Sequence, residues 1–480
     1  IKRCEWVACV NHAYGQCGDG RGGCNLMFAI ARTDALRRSD ANASVPVEVL
    51  IGRAGHAVAV NALAMLGKVY GKRVLLVAGS GNNGADGRVA AGVLRSRGAR
   101  VDEIAPADFR AVPDEFDLVI DAAFGTGYRE SDAWNPPRES HAAVLAVDIP
   151  SGVFADTGNV HRALRADVTV TFAAIKPGLL FGDGAALAGD IVVADIGLDI
   201  PAEDQIAQWV ELEDVLHLLR FRESDAHKWN HGVKVIAGSR GMTGAARLTA
   251  AAALHAGAGI VHAFVPGAAV LPTEPVEVVW HALPDEEWGV VISDDDLRFK
   301  STVVGPGLGR ADATARSAAK FAIDSPMPTV IDGDGLYAVA TAGVESLKAA
   351  KAPRILTPHE GEYAMLMGSK PEPDHISAAT GLAKRSGQVA LLKGPLTVVA
   401  DGDRAWVMEC GDQRLATAGS GDVLAGVIAA MLALGHDPAT AAVCGALIHG
   451  EAAMRLHNVG MTAGELPVAV SEVLSGIGQV

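Results

Sequence analysis

The stretch VAGSGNNGADG, residues 77–87, places side-chain oxygens inside a glycine-rich turn. Its glycines expose backbone N–H groups that can hold a phosphate, and Asn82, Asn83 and Asp86 add amide and carboxylate oxygens. Such oxygens are hard ligands suited to an alkali or alkaline-earth cation. The stretch therefore combines a place for an anion with ligands for a metal ion.

Two later stretches of the first half carry the same kinds of residue. DAAFGTG begins at Asp121, and DIPSG contains Asp148 and Ser151. A carboxylate that is not bound to a cation can act as a general base. The three stretches together predict a site for a phosphate-bearing ligand, a metal ion and proton transfer. A single Asp at a strand end is often only a helix cap, so three sets at successive strand ends favour function.

The spacing of GSGNNG also fits the G-x-G-x-x-G pattern of dinucleotide cofactors. That pattern alone is weak, and no clean acidic residue ends the next strand to bind a ribose. The turn therefore differs from the fingerprint of a nicotinamide dehydrogenase.

In the second half, ATAGSGDVLAGVIAAMLALG places Asp422 at the start of a helix with an apolar stripe. The exposed N–H groups and the dipole of a helix start favour a phosphate. Asp422 either caps its own helix or is a base that takes a proton from a hydroxyl during phosphoryl transfer. Gly419 and Gly421 leave space beside it, which favours the second interpretation.

These polar stretches follow short apolar runs that alternate with helical patterns. KRVLLVAG, DLVIDAAFG, AAVLAVDIPSG and DVTVTFAAIKPG are strand candidates, and VEVLIGRAGHAVAVNALAML has apolar residues at helical spacing. The alternation predicts a parallel sheet covered on both faces. Ligands of such sheets bind outside the carboxyl ends of the strands, which is where the polar residues lie.

The alternation stops near residue 212 and then restarts. Acidic and polar residues interrupt it, and GVKVIAGSRGMTGAARL begins a new series that later includes the hairpin-like LTVVADGDRAWVMEC. A chain of 480 residues is long enough for two domains. We expect an α/β fold with domains at 30–211 and 212–480, after a disordered or non-native tail at 1–29.

The tail holds most of the cysteines of the chain, close to one histidine. These residues are Cys4, Cys9, His12, Cys17 and Cys24. Zinc binding is one interpretation, but the spacings match no common zinc site. The other interpretation is a tail without a metal, with Met27 as the working start of the protein.

The bulk properties argue against several functions. A formal charge of -15 argues against sequence-independent nucleic-acid binding, which needs a basic surface. No uninterrupted apolar run reaches the roughly 18 to 20 residues that span a bilayer, and the N-terminus lacks the pattern of a signal peptide. We expect a cytoplasmic homo-oligomer that binds small molecules, with neither nucleic acid nor membrane as a partner.

GSGNNGADG, VDIPSG and TVTFAAIKPG resemble the signature blocks of the NAD(P)HX epimerase family, which has a Rossmann-like three-layer fold. That family interconverts the two C6 epimers of hydrated NADH or NADPH. The resemblance implies potassium ligands at Asn83, Asp121 and Ser151, and Asp148 as the acid or base. It implies substrate contacts at Asn82, Asn83, Gly84, Ala85, Asp86, Gly125, Thr126, Gly127 and Asp148. Ala85 stands where the family usually has glycine, which matters if that position needs positive φ.

HKWNHG, AGSRGMTGAARL, GPGLGR, DGDGL, LTPHEGEYAMLMG and LLKGPLT resemble, in this order, blocks of the ADP-dependent NAD(P)HX dehydratase family. The loop at Asp422 resembles the anion hole and catalytic Asp of ribokinase-like proteins. The resemblance implies a ribokinase-like α/β domain that uses ADP to phosphorylate the C6 hydroxyl of the S-hydrate. Loss of phosphate then gives NAD(P)H, AMP and phosphate.

The second resemblance also implies site residues. Those for the adenine nucleotide are Lys393, Gly394, Pro395, Leu396, Thr397 and Gly421. Those for the hydrate are Ala245, Gly307 or Gly309, His359 and Asp422. His359 could instead be a buried structural histidine. Asp332 and Asp334 either hold magnesium or cap a turn.

Together the halves predict a two-step repair of hydrated NADH and NADPH. ADP is the co-substrate, K⁺ belongs to the first domain and Mg²⁺ to the second. The alternative is a ribokinase-like kinase of a small alcohol joined to a non-catalytic nucleotide-binding or scaffold domain. Stoichiometric release of a stable phosphorylated product, without free phosphate, would favour a kinase.

Overall fold

The computed structural model describes residues 1, 27–130, 132, 134–285, 287, 288, 292 and 298–478. The chain forms two compact units, Ile1–Gln208 and Trp209–Val480. The predicted boundary, between residues 211 and 212, lies three residues C-terminal to the boundary between these two units. The zinc prediction falls on residues outside the described ranges, namely Cys4, Cys9, His12, Cys17 and Cys24.

The end of the predicted tail is folded. Residues Phe28–Ile30 form strand β1, and the N–H of Ile175 donates to the carbonyl of Ala29 at 2.9 Å. The prediction of a tail over 1–29 is therefore wrong for residues 28 and 29. Their backbone pairs with the segment around Ile175, which the sequence pattern does not reveal.

The first unit alternates strands and helices. After β1 its elements are α1 Thr33–Ala41, α2 Val47–Leu66, β2 Arg73–Ala78, α3 Asn82–Ser96, β3 Arg100–Ile104, β4 Leu118–Ala122, β5 Ala143–Val147, β6 Val168–Phe172, α4 Pro177–Leu180, α5 Gly182–Ala188 and β7 Asp190–Ala194. A short strand, β8 Ala207–Trp209, spans the boundary between the units.

The strands of the first unit form a parallel sheet in the order β3-β2-β4-β5-β6-β7. The strands are continuous apolar runs because both faces of the sheet are covered. Leu76 points to the face packed against α2 and α3. Its neighbour Val77 points to the opposite face, in a cluster with Phe109 and Trp134. The predicted α/β class with parallel sheets is confirmed.

The second unit begins a new series of strands and helices. Its elements are α6 Leu212–Val215, β9 Gly232–Ile236, α7 Thr243–His255, β10 Ile260–Pro266, β11 Val279–Leu283, β12 Phe299–Val304, α8 Asp312–Asp324, β13 Thr329–Ile331, α9 Asp334–Ala342, β14 Arg354–Leu356, α10 Glu360–Met367, α11 His375–Ser386, β15 Val389–Leu392, β16 Thr397–Asp401, β17 Arg404–Met408, α12 Ser420–Ala433, α13 Pro438–Met454 and α14 Leu466–Ile477.

Its strands are neighbours in the order β17-β16-β15-β14-β13-β12-β9-β10-β11. The pairs from β11 to β15 are parallel, whereas β16 pairs antiparallel with both β15 and β17. Gly402 adopts φ 61° in the turn between β16 and β17, which confirms the predicted hairpin. The antiparallel strands form an extension on one side of a parallel core.

Helix α2 differs from the expectation that no apolar segment is long enough to span a bilayer. By length and composition alone, Val47–Leu66 is long and apolar enough to cross a membrane. Its buried side chains, such as Leu50 and Val58, belong to the core between helix and sheet. A core helix of this kind satisfies the same length and composition criteria, so the feature is weak support for a membrane span.

Helix α3 contacts the sheet through glycine. A Cβ added at Gly87 would lie 2.6 Å from Cβ of Ala122 and 2.8 Å from Cδ1 of Leu76. A Cβ added at Gly92 of the same helix would meet nothing within 4 Å. Gly87 therefore allows α3 to approach β2 and β4 closely, whereas Gly92 has no packing reason to be glycine.

We expect Gly87→Ala to destabilise the first unit by about 1–3 kcal/mol, because an added methyl overpacks the interface. Gly92→Ala, the matched control, should stabilise it by about 0.5–1 kcal/mol, because alanine is a better helix former. Calorimetric unfolding of the full chain measures both changes in stability. Equal shifts for the two variants would contradict this account of the helix packing.

Candidate active sites

A cavity of about 470 Å³ opens in the first unit beside the start of α3. Strands β2, β4 and β5 are parallel neighbours, so the turns that follow them meet at one edge of the sheet. The predicted substrate residues that line the cavity are Asn82, Asn83, Asp86, Gly125, Thr126, Gly127 and Asp148. Residues from three separate stretches of the sequence therefore line one cavity.

The glycine-rich turn ends where α3 begins, at Asn82. No side chain caps this helix start within the described residues, so its first N–H groups are available to an anion. A Cβ added at Gly84 would lie 2.0 Å from the carbonyl oxygen of Gly79, so this position requires glycine. The N–H of Ala85 donates to the carbonyl of Gly81 at 3.1 Å, and Ala85 is helical without positive φ. The backbone therefore accepts alanine there.

Asp148 has the backbone conformation of a glycine, with φ 68°. Its carboxylate accepts a hydrogen bond from Nζ of Lys176 at 2.5 Å, and Oγ1 of Thr171 lies 3.3 Å from the same oxygen. Lys176 is only 2% exposed and also donates to Oγ1 of Thr171 at 2.8 Å and to the carbonyl of Phe172 at 3.1 Å. The buried ammonium therefore fixes the orientation of the Asp148 carboxylate.

Two further carboxyl groups line the same cavity, Asp40 from α1 and Asp86 from α3. Burial, followed by the nearby charges of Asp148 and Asp40, raises the pKa of Asp86 to about 8. Burial and the charge of Asp148 raise the pKa of Asp40 as well, although Lys176 opposes the increase. At neutral pH the cavity therefore holds a proton on Asp86.

Asp121 and Ser151, two of the predicted potassium ligands, are in direct contact beneath the cavity. Asp121 is 1% exposed and accepts the N–H and O–H of Ser151 at 2.9 and 2.6 Å. Burial raises the pKa of Asp121, and no cationic side chain of the described chain pairs with it. A buried carboxylate without a cation is costly, so this position suits a metal ion.

Asn83, the third predicted potassium ligand, lies beside the loop that connects to Ser151. Its Oδ1 lies 3.2 Å from the position of a Cβ on Gly125, and Phe124 donates its N–H to Oγ of Ser151 at 2.8 Å. In the described structure, Nδ2 of Asn83 is buried without a hydrogen-bond partner. The donor set of amide, carboxylate and hydroxyl oxygens fits an alkali cation.

Lys176 and Asp40 are the cavity residues that sequence reasoning missed. Lys176 stands inside TVTFAAIKPG, a stretch read only as a strand and a signature block, and Asp40 lies near the end of α1. A lysine next to a proline after an apolar strand was the available signal for the first. Asp40 lines the cavity because of the way α1 packs in the fold. The spacing of residues in the sequence does not predict that packing.

In the second unit, Asp422 lies in the first turn of α12. Gly419, the residue before this helix, has φ 92°. No side chain among the described residues caps the start of the helix. Burial, followed by the charge of Asp332, raises the pKa of Asp422 to about 7, whereas Lys393 opposes the increase. Asp422 is therefore a carboxyl group poised to exchange a proton near neutral pH, beside free helix N–H groups.

Lys393 connects the carboxyl groups around Asp422. Its Nζ donates to Oδ1 of Asp332 at 2.9 Å and lies 3.8 Å from Oε2 of Glu362. Burial disfavours the ammonium, but the charges of Asp332 and Glu362 outweigh burial and raise the pKa of Lys393. Burial also raises the pKa of Glu362 despite Lys393. A Cβ added at Gly421 would lie 3.4 Å from Nζ of Lys393, so the predicted residues Lys393 and Gly421 are neighbours.

Glu362 and Thr357 are site residues that sequence reasoning did not single out. Oγ1 of Thr357 donates to Oδ1 of Asp332 at 2.7 Å, and Glu362 accepts the backbone N–H of His359 at 2.9 Å. Both residues lie in or beside LTPHEGEYAMLMG. In that block only His359 was interpreted, because histidine was the obvious group for chemistry.

His359 caps α10. Its Nδ1 accepts the backbone N–H groups of Gly361 and Glu362 at 2.9 and 3.3 Å, and its side chain is 60% exposed. The alternative of a buried structural histidine is therefore wrong, although the capping role is structural. Contact of His359 with the hydrate stays a prediction.

Other predicted hydrate-binding residues of the second unit lie close together. A Cβ added at Gly307 would lie 2.8 Å from Cβ of Ala245. The N–H of Gly309 donates to Oδ2 of Asp334 at 2.8 Å, and Nε of Arg310 donates to Oδ1 of the same residue at 2.9 Å. Asp334, the first residue of α9, thus holds the loop that contains both glycines.

The predicted nucleotide-binding residues 393–397 connect β15 to β16. The N–H of Lys393 donates to the carbonyl of Pro358 at 2.9 Å, which joins this loop to the His359 segment. Gly394 and Pro395 are exposed. Thr397 is buried at the start of β16 and hydrogen-bonds the thiol of Cys410, so its hydroxyl is already engaged.

The two units define a class: an α/β enzyme with two sites, each combining buried carboxyl groups with an uncapped helix start. Residues 233–475 match the family model described as NAD(P)H-hydrate dehydratase. Residues 47–114 and 102–178 match the model described as YjeF-related protein N-terminus. The chain belongs to the family of bifunctional NAD(P)H-hydrate repair enzymes.

Relatives match both halves of the chain. The bifunctional NAD(P)H-hydrate repair enzyme Nnr of Mycobacterium leprae is 37% identical over 92% of this chain and 97% of its own length. The enzyme of the same name from Moorella thermoacetica is 35% identical, over 83% of this chain and 87% of its own. A solved ADP/ATP-dependent NAD(P)H-hydrate dehydratase from Bacillus subtilis, co-crystallised with ATP and Mg²⁺, is 24% identical with a TM-score of 0.48, covering 55% of this chain and 97% of its own.

We expect Lys393→Met to destabilise the protein more at pH 8 than at pH 5. Without the ammonium, negative charge on the buried Asp332 and Glu362 side chains is no longer compensated, and less of this charge is present at low pH. At pH 8 the two buried carboxyl groups must carry charge without a cation. The free energy of unfolding should therefore fall by about 3 kcal/mol at this pH. Thermal unfolding at both pH values measures this loss of stability, and Lys370→Met on the surface is the control. An equal loss at both pH values would contradict the charge network.

Proposed function

We propose that the chain repairs hydrated NADH and NADPH in two steps. The first unit interconverts the R and S epimers at C6, and the second unit uses ADP to return the S epimer to NAD(P)H. The proposal rests on membership of a family whose named relatives span both halves. It is supported by one structural observation: each half holds a buried carboxyl group near a free helix start.

In the first unit the nucleotide is the substrate. The free N–H groups at the start of α3 and the loop 125–127 receive the phosphate side, and the hydrated ring lies against Asp148. Inversion at C6 requires a bond to C6 to break and re-form on the other face of the ring, and the proposed bond is C6–O, with the C6–N bond of the ring kept. Protons must reach and leave the oxygen in these steps, and Asp148, held by Lys176, takes part in this proton transfer.

In the second unit Asp422 is the base. It takes the proton of the C6 hydroxyl while the β-phosphoryl group of ADP moves to that oxygen, which leaves AMP. The C6–O bond of the phosphate ester then breaks, and loss of a proton from C5 forms the ring double bond. Phosphorylation is needed because hydroxide is a poor leaving group.

The adenine nucleotide is placed by the loop 393–397 and Gly421, and its phosphates lie at the start of α12. Mg²⁺ usually binds through one or two carboxylates together with substrate phosphates. Asp332 would hold such an ion, and Asp334 is engaged by Gly309 and Arg310. Within the described residues, no cluster of three or more His, Cys, Asp or Glu forms a metal site of its own.

K⁺ is proposed at Asn83, Asp121 and Ser151. A cation there supplies positive charge next to the buried Asp121 carboxylate and beneath the loop 125–127. The set consists of amide, carboxylate and hydroxyl oxygens, and Asp121 is a buried carboxylate that no cationic side chain of the described residues pairs with.

The kinase alternative is not favoured. Relatives that match over both halves are named repair enzymes, and the first unit keeps Asp86, Asp121 and Asp148 in one arrangement, which a silent scaffold does not need. A cytoplasmic location, a homo-oligomeric state, the substrate contacts of individual loop residues and the absence of nucleic-acid and membrane partners stay predictions.

The central test supplies purified R- and S-hydrates with ADP and follows the absorbance of reduced nicotinamide. We expect recovery from both epimers, and Asp148→Asn should lose recovery from R while keeping it from S. Asp422→Asn should lose both. The rate with the S-hydrate should rise as pH increases through about 7, because Asp422 accepts a proton only when ionised. No recovery from the S-hydrate would refute the repair function.

Replacing K⁺ by tetramethylammonium should lower the unfolding temperature of the first unit and slow epimerisation, with ADP-dependent recovery from the S-hydrate unchanged. Asp121→Asn should remove the dependence on K⁺, because its buried charge is what the cation neutralises. Thermal unfolding in each salt gives a measure independent of activity. A K⁺ dependence that persists in Asp121→Asn would place the ion elsewhere.

A further inference from the structure

The cavity of the first unit contains more acids than bases. Its lining includes Asp40, Asp86 and Asp148, and Lys176 is the only cationic side chain among the described residues that line it. Asp86 is 6% exposed and Lys176 is 2% exposed. Asp40 is exposed, whereas Asp86 and Asp148 share one ammonium in a largely buried space, so charging both of these carboxyl groups is costly.

The charge distribution separates the roles of these carboxyl groups. The Lys176 ammonium hydrogen-bonds to the Asp148 carboxylate and fixes its orientation. Asp86 has no ion-pair partner among the described residues, and burial and its acidic neighbours raise its pKa to about 8. The cavity thus combines a buried carboxyl group without an ion-pair partner, Asp86, with the Lys176–Asp148 ion pair, and acid and base catalysis uses two carboxyl groups in such different environments.

Asp86 and Asp148 reach the cavity from different elements. Asp86 lies in α3, which follows β2, whereas Asp148 directly follows β5, and β4 lies between these two strands. The loop 125–127, which follows β4, lines the same cavity. A ligand in this cavity is therefore flanked by carboxyl groups from two elements.

We propose that the first unit works with two carboxyl groups: Asp86 is the proton donor to the C6 oxygen, Asp148 is the proton acceptor, and Lys176 is the positioning residue that holds the Asp148 carboxylate. This inference rests on the proposed epimerase function and assigns its proton transfers. Asp40 acts through charge, because its carboxylate helps to keep the proton on Asp86.

The step balances as follows for the R-hydrate. The proton of Asp86 goes to the C6 hydroxyl, the C6–O bond breaks, water leaves, and the lone pair of the ring nitrogen forms a C=N bond. Water then adds to C6 from the other face, the nitrogen recovers its electron pair, and Asp148 takes the proton released by that water. The cavity ends with Asp86 ionised and Asp148 protonated, which is the starting state for the reverse reaction.

The experiment measures the equilibration of R- and S-hydrates by the full chain without ADP, as a function of pH. The variants are Asp86→Asn, Lys176→Met and Asp40→Asn, and Asp183→Asn on the surface of α5 is the control. Thermal unfolding of each variant reports whether the first unit is folded, and ADP-dependent recovery from the S-hydrate reports whether the second unit is. Wild-type protein that fails to equilibrate the epimers would refute the proposed function itself.

We expect kcat for epimerisation to fall by about 10²–10⁴-fold in Asp86→Asn with KM changed less than about threefold, since a proton donor acts in the transition state. The wild-type loss of rate above about pH 8 should disappear in this variant. In Lys176→Met the rise of rate at low pH should move to higher pH, because Asp148 loses its cation. In Asp40→Asn the high-pH decline should move to lower pH.

Active wild-type protein with Asp86→Asn within threefold of its rate would overturn the assignment of the donor. An unshifted low-pH limb in Lys176→Met would overturn the positioning role, even if the overall rate falls. If Asp86→Asn does not fold, the pH profiles of the other two variants still decide the proposal. The low-pH limb should move to higher pH in Lys176→Met, and the high-pH limb should move to lower pH in Asp40→Asn. Reaction in H₂¹⁸O should place ¹⁸O on C6 in step with inversion, and retention of ¹⁶O would exclude the loss of water.

Discussion

Each site depends on one lysine that is surrounded by more carboxylates than it can neutralise. Lys176 binds Asp148 in the first unit, and Lys393 binds Asp332 and lies near Glu362 in the second. A buried ammonium fixes one carboxylate in its charged form, and the carboxyl groups left over become weak acids because burial disfavours a second charge. The excess acid, Asp86 or Asp422, thereby gains a pKa near neutrality. Stability and reactivity at both sites thus have the same electrostatic origin.

Close packing around the sheet edge makes this arrangement possible. Gly84 and Gly87 let α3 lie against the sheet, and a Cβ added at Gly55 of α2 would lie 2.6 Å from the carbonyl oxygen of Asp86. The backbone of the acid is therefore enclosed by helix and sheet, which excludes water from its side. Dense packing far from any ligand contact is thus part of the reason that Asp86 holds its proton.

The sequence predicted the fold class and the stretches that form each site, because apolar periodicity and glycine-rich turns are local signals. Asn82, Asn83, Asp86 and Asp148 do line one cavity. Lys176 and Asp40 were missed because their importance comes from neighbours that are distant in sequence. The same limit explains Thr357 and Glu362, which matter only because Lys393 and Asp332 lie beside them. Burial and pairwise charge depend on tertiary contacts, for which spacing rules give no measure.

The left-handed backbone at Asp148 has a consequence for how members of this family diverge. At φ 68° most side chains are strained, and aspartate, asparagine and glycine are the residues that accept the conformation at low cost. A lineage that abandons proton transfer at this position can therefore keep its fold most easily by acquiring asparagine or glycine. Either substitution would keep the conformation of this loop while removing the carboxylate.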